Sequence, residues 1–183
     1  MSTITVNIKI SKAQVLEEVA KTTAYIGSKS ISAEDPGAYS RVSTTTANQE
    51  QLDRYWMSAC TEASHAMRGW VSQVNKHLLT GRVDMSRDYE VTLHMPENWH
   101  TALIDPLKEA LMNYLVNAIV SHWLMVTKKE DAQAYAILAA DALRKVKEIL
   151  LTRKRPGRRP HGTTEDDNLW HRVVTWVRST IWN

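Results

Sequence analysis

The sequence predicts a mainly α-helical protein. The expected architecture is a helical bundle with a long helix, an antiparallel helical hairpin, two short β-strands and a projecting carboxyl-terminal segment. Apolar residues recur at the helical steps of three and four along 48–81, 107–126 and 132–150. Only 3–10 and 89–95 alternate between polar and apolar residues. The connection between the last two helical stretches is very short, which favours antiparallel packing.

A change of period marks the amino-terminal strand and helix. The stretch Thr3 to Ile10 alternates and predicts a strand. Ser11, with Gln14 three residues later, has the spacing of a capping box and predicts the start of a helix. Apolar residues continue at helical spacing to Gly27, where we expect the helix to end. The following segment 30–46 is predicted to be a loop.

The longest periodic segment begins at Asn48, again with glutamine three residues later, and runs to Gly81. Its roughly 33 residues would make a straight helix of about 50 Å. Gly69 lowers helix propensity inside this segment, and we expect it to mark a close crossing of two helices. A second short strand is predicted at 89–95, ended by Pro96.

Two helices form the predicted hairpin. Asp105-Pro106 indicates a helix start, with a capping carboxylate followed by proline in the first turn. Apolar residues lie nearly all round the helix from 107 to 126, so we expect this helix to be central or covered by a neighbour. Thr127 and Glu130 have capping-box spacing and predict the second helix, which should run to about Thr152.

Composition changes after residue 152 and suggests three regions. Residues 1–152 are predicted to form a helical core domain that includes the amino-terminal strand. Residues 153–162 form a basic linker broken by proline and glycine. Residues 163–183 form a Trp-rich arm whose acidic first turn favours a final helix.

Composition also excludes several classes of protein. A chain of 183 residues, 43% hydrophobic, can bury a core without disulfides or metals. Its single cysteine, Cys60, forms no internal disulfide and lies on an apolar helix stripe, which predicts a buried thiol in a reducing compartment. The first ten residues lack the pattern of a signal peptide. Polar residues interrupt the apolar stretch 110–126, so no membrane span is predicted.

The sequence contains no recognisable catalytic or metal-binding motif. None of its seven histidines has metal-ligand spacing with another histidine or with cysteine, and its glycines are isolated rather than grouped in a phosphate-binding loop. We therefore expect no enzyme activity, no metal and no cofactor. A small helical enzyme with a site assembled from scattered residues is the least favoured alternative.

One concentrated cationic cluster stands out in an otherwise nearly neutral chain. Without it, 18 basic residues remain against 20 acidic ones. The cluster could be a solvated helix end, a docking site for an acidic protein surface, or a contact with nucleic-acid phosphates of no sequence specificity. It consists of Arg153, Lys154, Arg155, Arg158 and Arg159.

The arm carries more apolar surface than can remain in water. It either folds back on the hairpin or packs on another copy or another protein. Because a basic linker separates it from the core, we favour the second alternative, and tryptophan is enriched in interface hot spots. The predicted interface anchors are Trp170, Trp176 and Trp182.

Taken together, the long helix, the short strand, the hairpin and the cationic run resemble the head-to-tail adaptor (connector) proteins of tailed bacteriophages. The resemblance covers residues 48–160. The strand and helix at 3–27 and the segment past Gly162 are additions to the minimal adaptor. The residues that carry the resemblance are Leu52, Trp56, Ala59 and Ala63 of the long helix and Ala132, Tyr135, Ala139 and Leu143 of the second hairpin helix.

The resemblance implies a structural, non-enzymatic virion protein. Such a protein would form a homo-oligomeric ring of about 12 copies between portal and tail, around the DNA channel. Its partners would be the portal protein and tail or stopper proteins, and its location the virion neck, after assembly in the host cytoplasm. The cations would meet an acidic partner or line the DNA path, and the tryptophans would anchor the arm. The alternative is a nucleic-acid-binding regulatory protein that uses segment 153–159.

Overall fold

The computed structural model describes residues 3–31, 35–74 and 87–154, and those up to Arg153 form one compact unit. This part of the chain is mainly helical with a small antiparallel sheet, which confirms the predicted fold class. Short 3₁₀ turns at Thr46–Asn48 and Thr101–Leu103 lead into the third and fourth helices. The elements are β1 (Thr3–Ile10), α1 (Lys12–Lys29), α2 (Ala38–Val42), α3 (Gln49–Ala66), β2 (Val71–Val74), β3 (Tyr89–Pro96), α4 (Ile104–Thr127) and α5 (Lys129–Leu151).

Helix α4 lies at the centre of the fold. It packs against α5, α3, α1 and β1, which explains why apolar residues surround it. Only Lys128 separates α4 from α5, and the two helices form the predicted hairpin. The buried residues of α4 are Leu107, Ala110, Leu111, Tyr114, Leu115, Ala118, Ile119, Val120, Ser121, Trp123 and Leu124.

By length and composition alone, the helical segment Thr101–Thr127 could cross a membrane, with a mean hydropathy of 1.2. Core helices of soluble proteins pass the same criterion, and 56% of its most apolar stretch is buried inside this fold. Packing against the other helices and β1 is therefore sufficient to account for its apolar composition.

The sheet has the order β1-β3-β2, and both pairings are antiparallel. Strand β1 pairs with β3 along its whole length, from Thr3 opposite Pro96 to Ile10 opposite Tyr89. One face of the sheet is buried in the core. Its buried side chains are Val6, Ile8 and Ile10 of β1 and Tyr89, Val91, Leu93 and Met95 of β3.

The long helix was predicted too long. Helix α3 ends at Ala66, and a turn leads to a third strand, β2, where the sequence analysis continued the helix to Gly81. The physical reason is that the buried face ends at Met67, and β-branched Val71 then pairs with β3. Gly69 lies in this turn with no atom within 4 Å of an added Cβ, so it is not a helix crossing. Residues 75–81 lie outside the described part.

The predicted loop 30–46 contains a short helix, α2. Gly27 does not end α1, which continues to Lys29; instead Gly27 is buried against α2. A Cβ at Gly27 would lie 3.2 Å from the backbone oxygen of Tyr39. The close approach of two backbones therefore explains this glycine.

The helix starts predicted at Ser11 and Asn48 are confirmed, because these residues occupy the N-cap positions of α1 and α3, although neither makes a capping side-chain hydrogen bond. The other two predicted caps were wrong: Asp105 lies inside the first turn of α4, after Leu103 at the cap position, and Thr127 is the last residue of that helix. The start of α1 is capped from a distant part of the chain, because the Lys12 amide N–H donates to Asp88 Oδ1 at 3.1 Å. A carboxylate at a helix amino terminus also interacts favourably with the helix dipole.

Replacing Asp88 with alanine is expected to lower the free energy of unfolding by about 1 kcal/mol at neutral pH. The Lys12 N–H and the nearby Lys9 ammonium lower the pKa of Asp88. Its stabilising effect is thus complete above the unfolded pKa of about 4 and is lost as pH falls through the lower folded pKa. Urea unfolding at neutral pH and at about pH 3 measures both effects.

Asp88→Asn is the matched control, because it keeps the acceptor oxygen and removes the charge. We expect it to lose less stability than Asp88→Ala at neutral pH. A difference between Asp88→Ala and the native protein that does not shrink in acid would contradict the role of the ionised carboxylate.

Candidate interaction surfaces

Two of the five predicted cations lie in the described part of the chain. Arg153 is half-buried, and its Nη1 donates to the carbonyl oxygens of Leu150 at 2.7 Å and Thr152 at 3.1 Å. It therefore satisfies carbonyl groups at the end of α5, where a cation also suits the helix dipole. Lys154 is exposed. Outside the described residues lie Arg155, Arg158 and Arg159, together with the predicted anchors Trp170, Trp176 and Trp182.

Exposed apolar side chains gather where α4 turns into α5. The side chains of Met125 and Val126 are 61% and 71% exposed, although Trp123 and Leu124 just before them are buried. The Lys128 ammonium donates to Ser30 Oγ at 2.8 Å, which brings the end of α1 to the same place. The hairpin-end patch is our name for the exposed side chains at these two helix ends: Met125 and Val126 of α4, and Tyr25 and Ile31 in and just after α1.

A second exposed apolar area lies on α5. Ile137 and Leu138 are each at least half exposed and form what we call the α5 patch. Ile137 is on the side of the helix opposite the buried positions Ala132, Ala139 and Val146. Neither patch residue is therefore required by the hairpin core.

A shallow groove of about 250 Å³ runs between α3, α4 and α5. The Tyr114 hydroxyl donates to Glu62 Oε2 at 2.8 Å, and burial raises the pKa of Tyr114, which keeps the hydroxyl protonated. The lining is otherwise mostly small and apolar. It comprises Glu62, Tyr114, Ala118, Ser121, His122, Ala136, Ala139, Ala140 and Leu143.

Cys60 is buried as expected. Burial raises the pKa of its thiol. Because the thiolate is the nucleophilic form, we expect Cys60 to be unreactive. Within residues 3–31, 35–74 and 87–154, no group of three or more His, Cys, Asp or Glu side chains could hold a metal ion. His77, His161 and His171 lie outside these ranges.

No protein-family model, curated protein or solved structure matches this chain.

Sequence reasoning missed the hairpin-end patch. It expected the apolar helix that ends with Met125 and Val126 to be central or covered by a neighbour, whereas these two side chains are exposed. The available signal was their place immediately before the helix-to-helix connection, where fewer elements surround a hairpin.

Proposed function

We propose that this chain is a structural virion protein, a head-to-tail adaptor that forms a homo-oligomeric ring between the portal and the tail of a phage. The supporting observation is the pair of exposed apolar areas, the hairpin-end patch and the α5 patch. Exposed apolar surface commonly marks a protein interaction site. A ring subunit needs two such surfaces, because head-to-tail contacts use a different face towards each neighbour.

The positions of the two patches suit this role. Ile137 is nine residues beyond Lys128, so the α5 patch lies about 14 Å along the helix from the turn. That spacing lets the two patches meet different molecules. Tyr25 adds an aromatic ring with a polar end, a type of side chain that is enriched at interfaces.

The basic segment and the arm complete the proposal. Four cations of the cluster would contact an acidic face of the portal or line the DNA path; they are Lys154, Arg155, Arg158 and Arg159. Arg153 instead donates to a carbonyl group of the last turn of α5. The three tryptophans of the arm would anchor it on the portal or on a neighbouring copy. The protein would act without cofactor or metal in the virion neck, after assembly in the host cytoplasm with tail or stopper proteins.

Native mass spectrometry of the full chain tests the ring. We expect a closed oligomer near a dozen copies, which Val126→Glu should break down to species of no more than two subunits. Val126 is 71% exposed, so the substitution should leave the subunit folded. Gln133→Glu is the control, since it adds the same charge at an exposed position of α5 outside both patches and should preserve the oligomer.

A chain that stays monomeric over the whole concentration range, alone and with a portal protein, would contradict the proposal. Association unaffected by Val126→Glu would contradict the role of the hairpin-end patch. DNA affinity that falls steeply with salt and vanishes when the cations of 153–159 are neutralised would instead support the regulatory alternative.

A further inference from the structure

The free edge of β1 can be identified from the hydrogen bonds of β3. The His94 N–H donates to the Trp70 carbonyl at 2.8 Å, so His94 points towards β2 and away from β1. Alternate residues of a strand bond to opposite sides, so four residues of β1, namely Ile4, Val6, Ile8 and Ile10, bond to their partners in β3. The other four residues of β1 direct their N–H and C=O groups to the free edge. They are Thr3, Thr5, Asn7 and Lys9.

This edge lacks the usual protection against pairing. Natural edge strands carry proline, several charges or a bulge, whereas β1 has eight residues in unbroken register, no proline and one lysine. The Lys9 ammonium lies 2.9 Å from the Glu90 carboxylate and 3.3 Å from the Asp88 carboxylate. Glu90 belongs to β3, and Asp88 immediately precedes this strand. Its charge is therefore directed away from the edge. No other described element pairs with this side of β1.

The opposite edge of the sheet, formed by β2, is less suited to pairing with a further strand. Strand β2 has only four residues, and its register with β3 is interrupted between Val71 and Gln73. The Val71 N–H is already used, because it donates to the Met67 carbonyl at 3.2 Å. Strand addition is thus favoured at β1.

We propose that two copies of this chain pair through β1, antiparallel, about a two-fold axis at Val6. The outward residues then form the hydrogen-bonded pairs, with Thr3 opposite Lys9 and Thr5 opposite Asn7 of the second copy. The buried face continues across the contact, because Val6 meets Val6 and Ile4 meets Ile8. Two three-stranded sheets become one six-stranded sheet.

Among the antiparallel registers of two β1 strands that keep the apolar faces together, only this one pairs all four outward residues. A shift of one residue would place the apolar side chains on the solvent face. A register in which Lys9 lies opposite Lys9 of the second copy would place like charges together, which destabilises a strand pair. This contact uses the same surface on both copies, so it is separate from the head-to-tail contacts proposed for the ring.

Cross-linking tests the register. In the proposed pair the Cα atoms of Thr5 and Asn7 lie about 5.5 Å apart across the axis, within the range of a disulfide. We expect a mixture of Thr5→Cys and Asn7→Cys proteins to form mixed disulfides at least about fivefold more readily than either variant alone. The native Cys60 is buried and should not compete. Equal cross-linking in all three samples would overturn the register.

A proline substitution tests the contact itself. Thr5→Pro removes an N–H that points to the edge, a position where strands tolerate proline. Sedimentation equilibrium of the full chain should show at least a tenfold weaker association of the two-fold pair, with an unchanged circular dichroism spectrum. Thr5→Val keeps the N–H and should pair like the native chain.

The outcomes separate this inference from the ring. Loss of a dimer by Thr5→Pro with the larger oligomer intact supports the β1 contact alone. A native chain without a two-fold pair, or a pair that Thr5→Pro leaves unchanged, overturns the proposal. Capture of an extended segment of another protein at β1, without self-pairing, overturns it too.

Discussion

Trp123→Ala is expected to lower the free energy of unfolding by about 3–5 kcal/mol, the usual loss for a buried tryptophan. Trp123 is buried near the end of α4, and its Nε1 donates to the Val42 carbonyl at 2.6 Å. The side chain thus fills the core and also joins α4 to α2. Alanine would leave a cavity and an unpaired carbonyl at the same place.

Urea unfolding followed by circular dichroism measures the effect. The free energy of unfolding of Trp123→Phe should lie between that of Trp123→Ala and that of the native protein, because phenylalanine keeps an aromatic ring but loses the hydrogen bond. Asn113→Ala, at an exposed position of the same helix outside both patches, is the control and should change stability by less than about 0.5 kcal/mol. A loss below about 1 kcal/mol for Trp123→Ala would show that α2 is not held by this residue.

Trp99→Phe should lower the free energy of unfolding by about 2–4 kcal/mol, and Trp56→Phe by about 1–2 kcal/mol. Both side chains are fully buried, so they lose a similar amount of packing. The Trp99 Nε1 donates to the Ile149 carbonyl at 3.0 Å, whereas the Trp56 Nε1 has no hydrogen-bond partner among the described residues. Phenylalanine removes a hydrogen bond in the first case and an unsatisfied buried donor in the second.

The same unfolding series compares the two variants at equal ring size. Hydrogen exchange adds a local measurement, because the Trp99 hydrogen bond connects the segment before α4 to the last turn of α5. Faster exchange near Ile149 is expected in Trp99→Phe and not in Trp56→Phe. Equal losses of stability would mean that packing outweighs hydrogen bonding at both sites.

The parts of the fold that sequence predicted well are those with long, regular patterns. The hairpin followed from apolar periodicity over two helices, and β1 and β3 followed from alternation. The burial of Cys60 followed from its place on an apolar stripe. Each of these depends on neighbours in the sequence, which a single chain displays directly.

The errors concern partners that are distant in sequence. Strand β2 exists because β3 pairs with it, and Asp88 caps α1 from 76 residues away, so local spacing carried little information about either. The same limit applies to the interaction surfaces. The cations were evident from composition, but the hairpin-end patch depends on how far α4 extends beyond the helices around it.

The pairing of β1 with β3 has a consequence for synthesis of the chain. Thr3 meets Pro96, so β1 must wait for more than ninety further residues before the whole of its partner strand has been made. At 5–20 residues per second, that interval is about 5–20 s on the ribosome. Helix α1 waits for 76 residues for its capping carboxylate. We therefore expect β1 and α1 to be among the last elements to form their native contacts. Because these contacts join residues far apart in sequence, they should form more slowly than those of the hairpin.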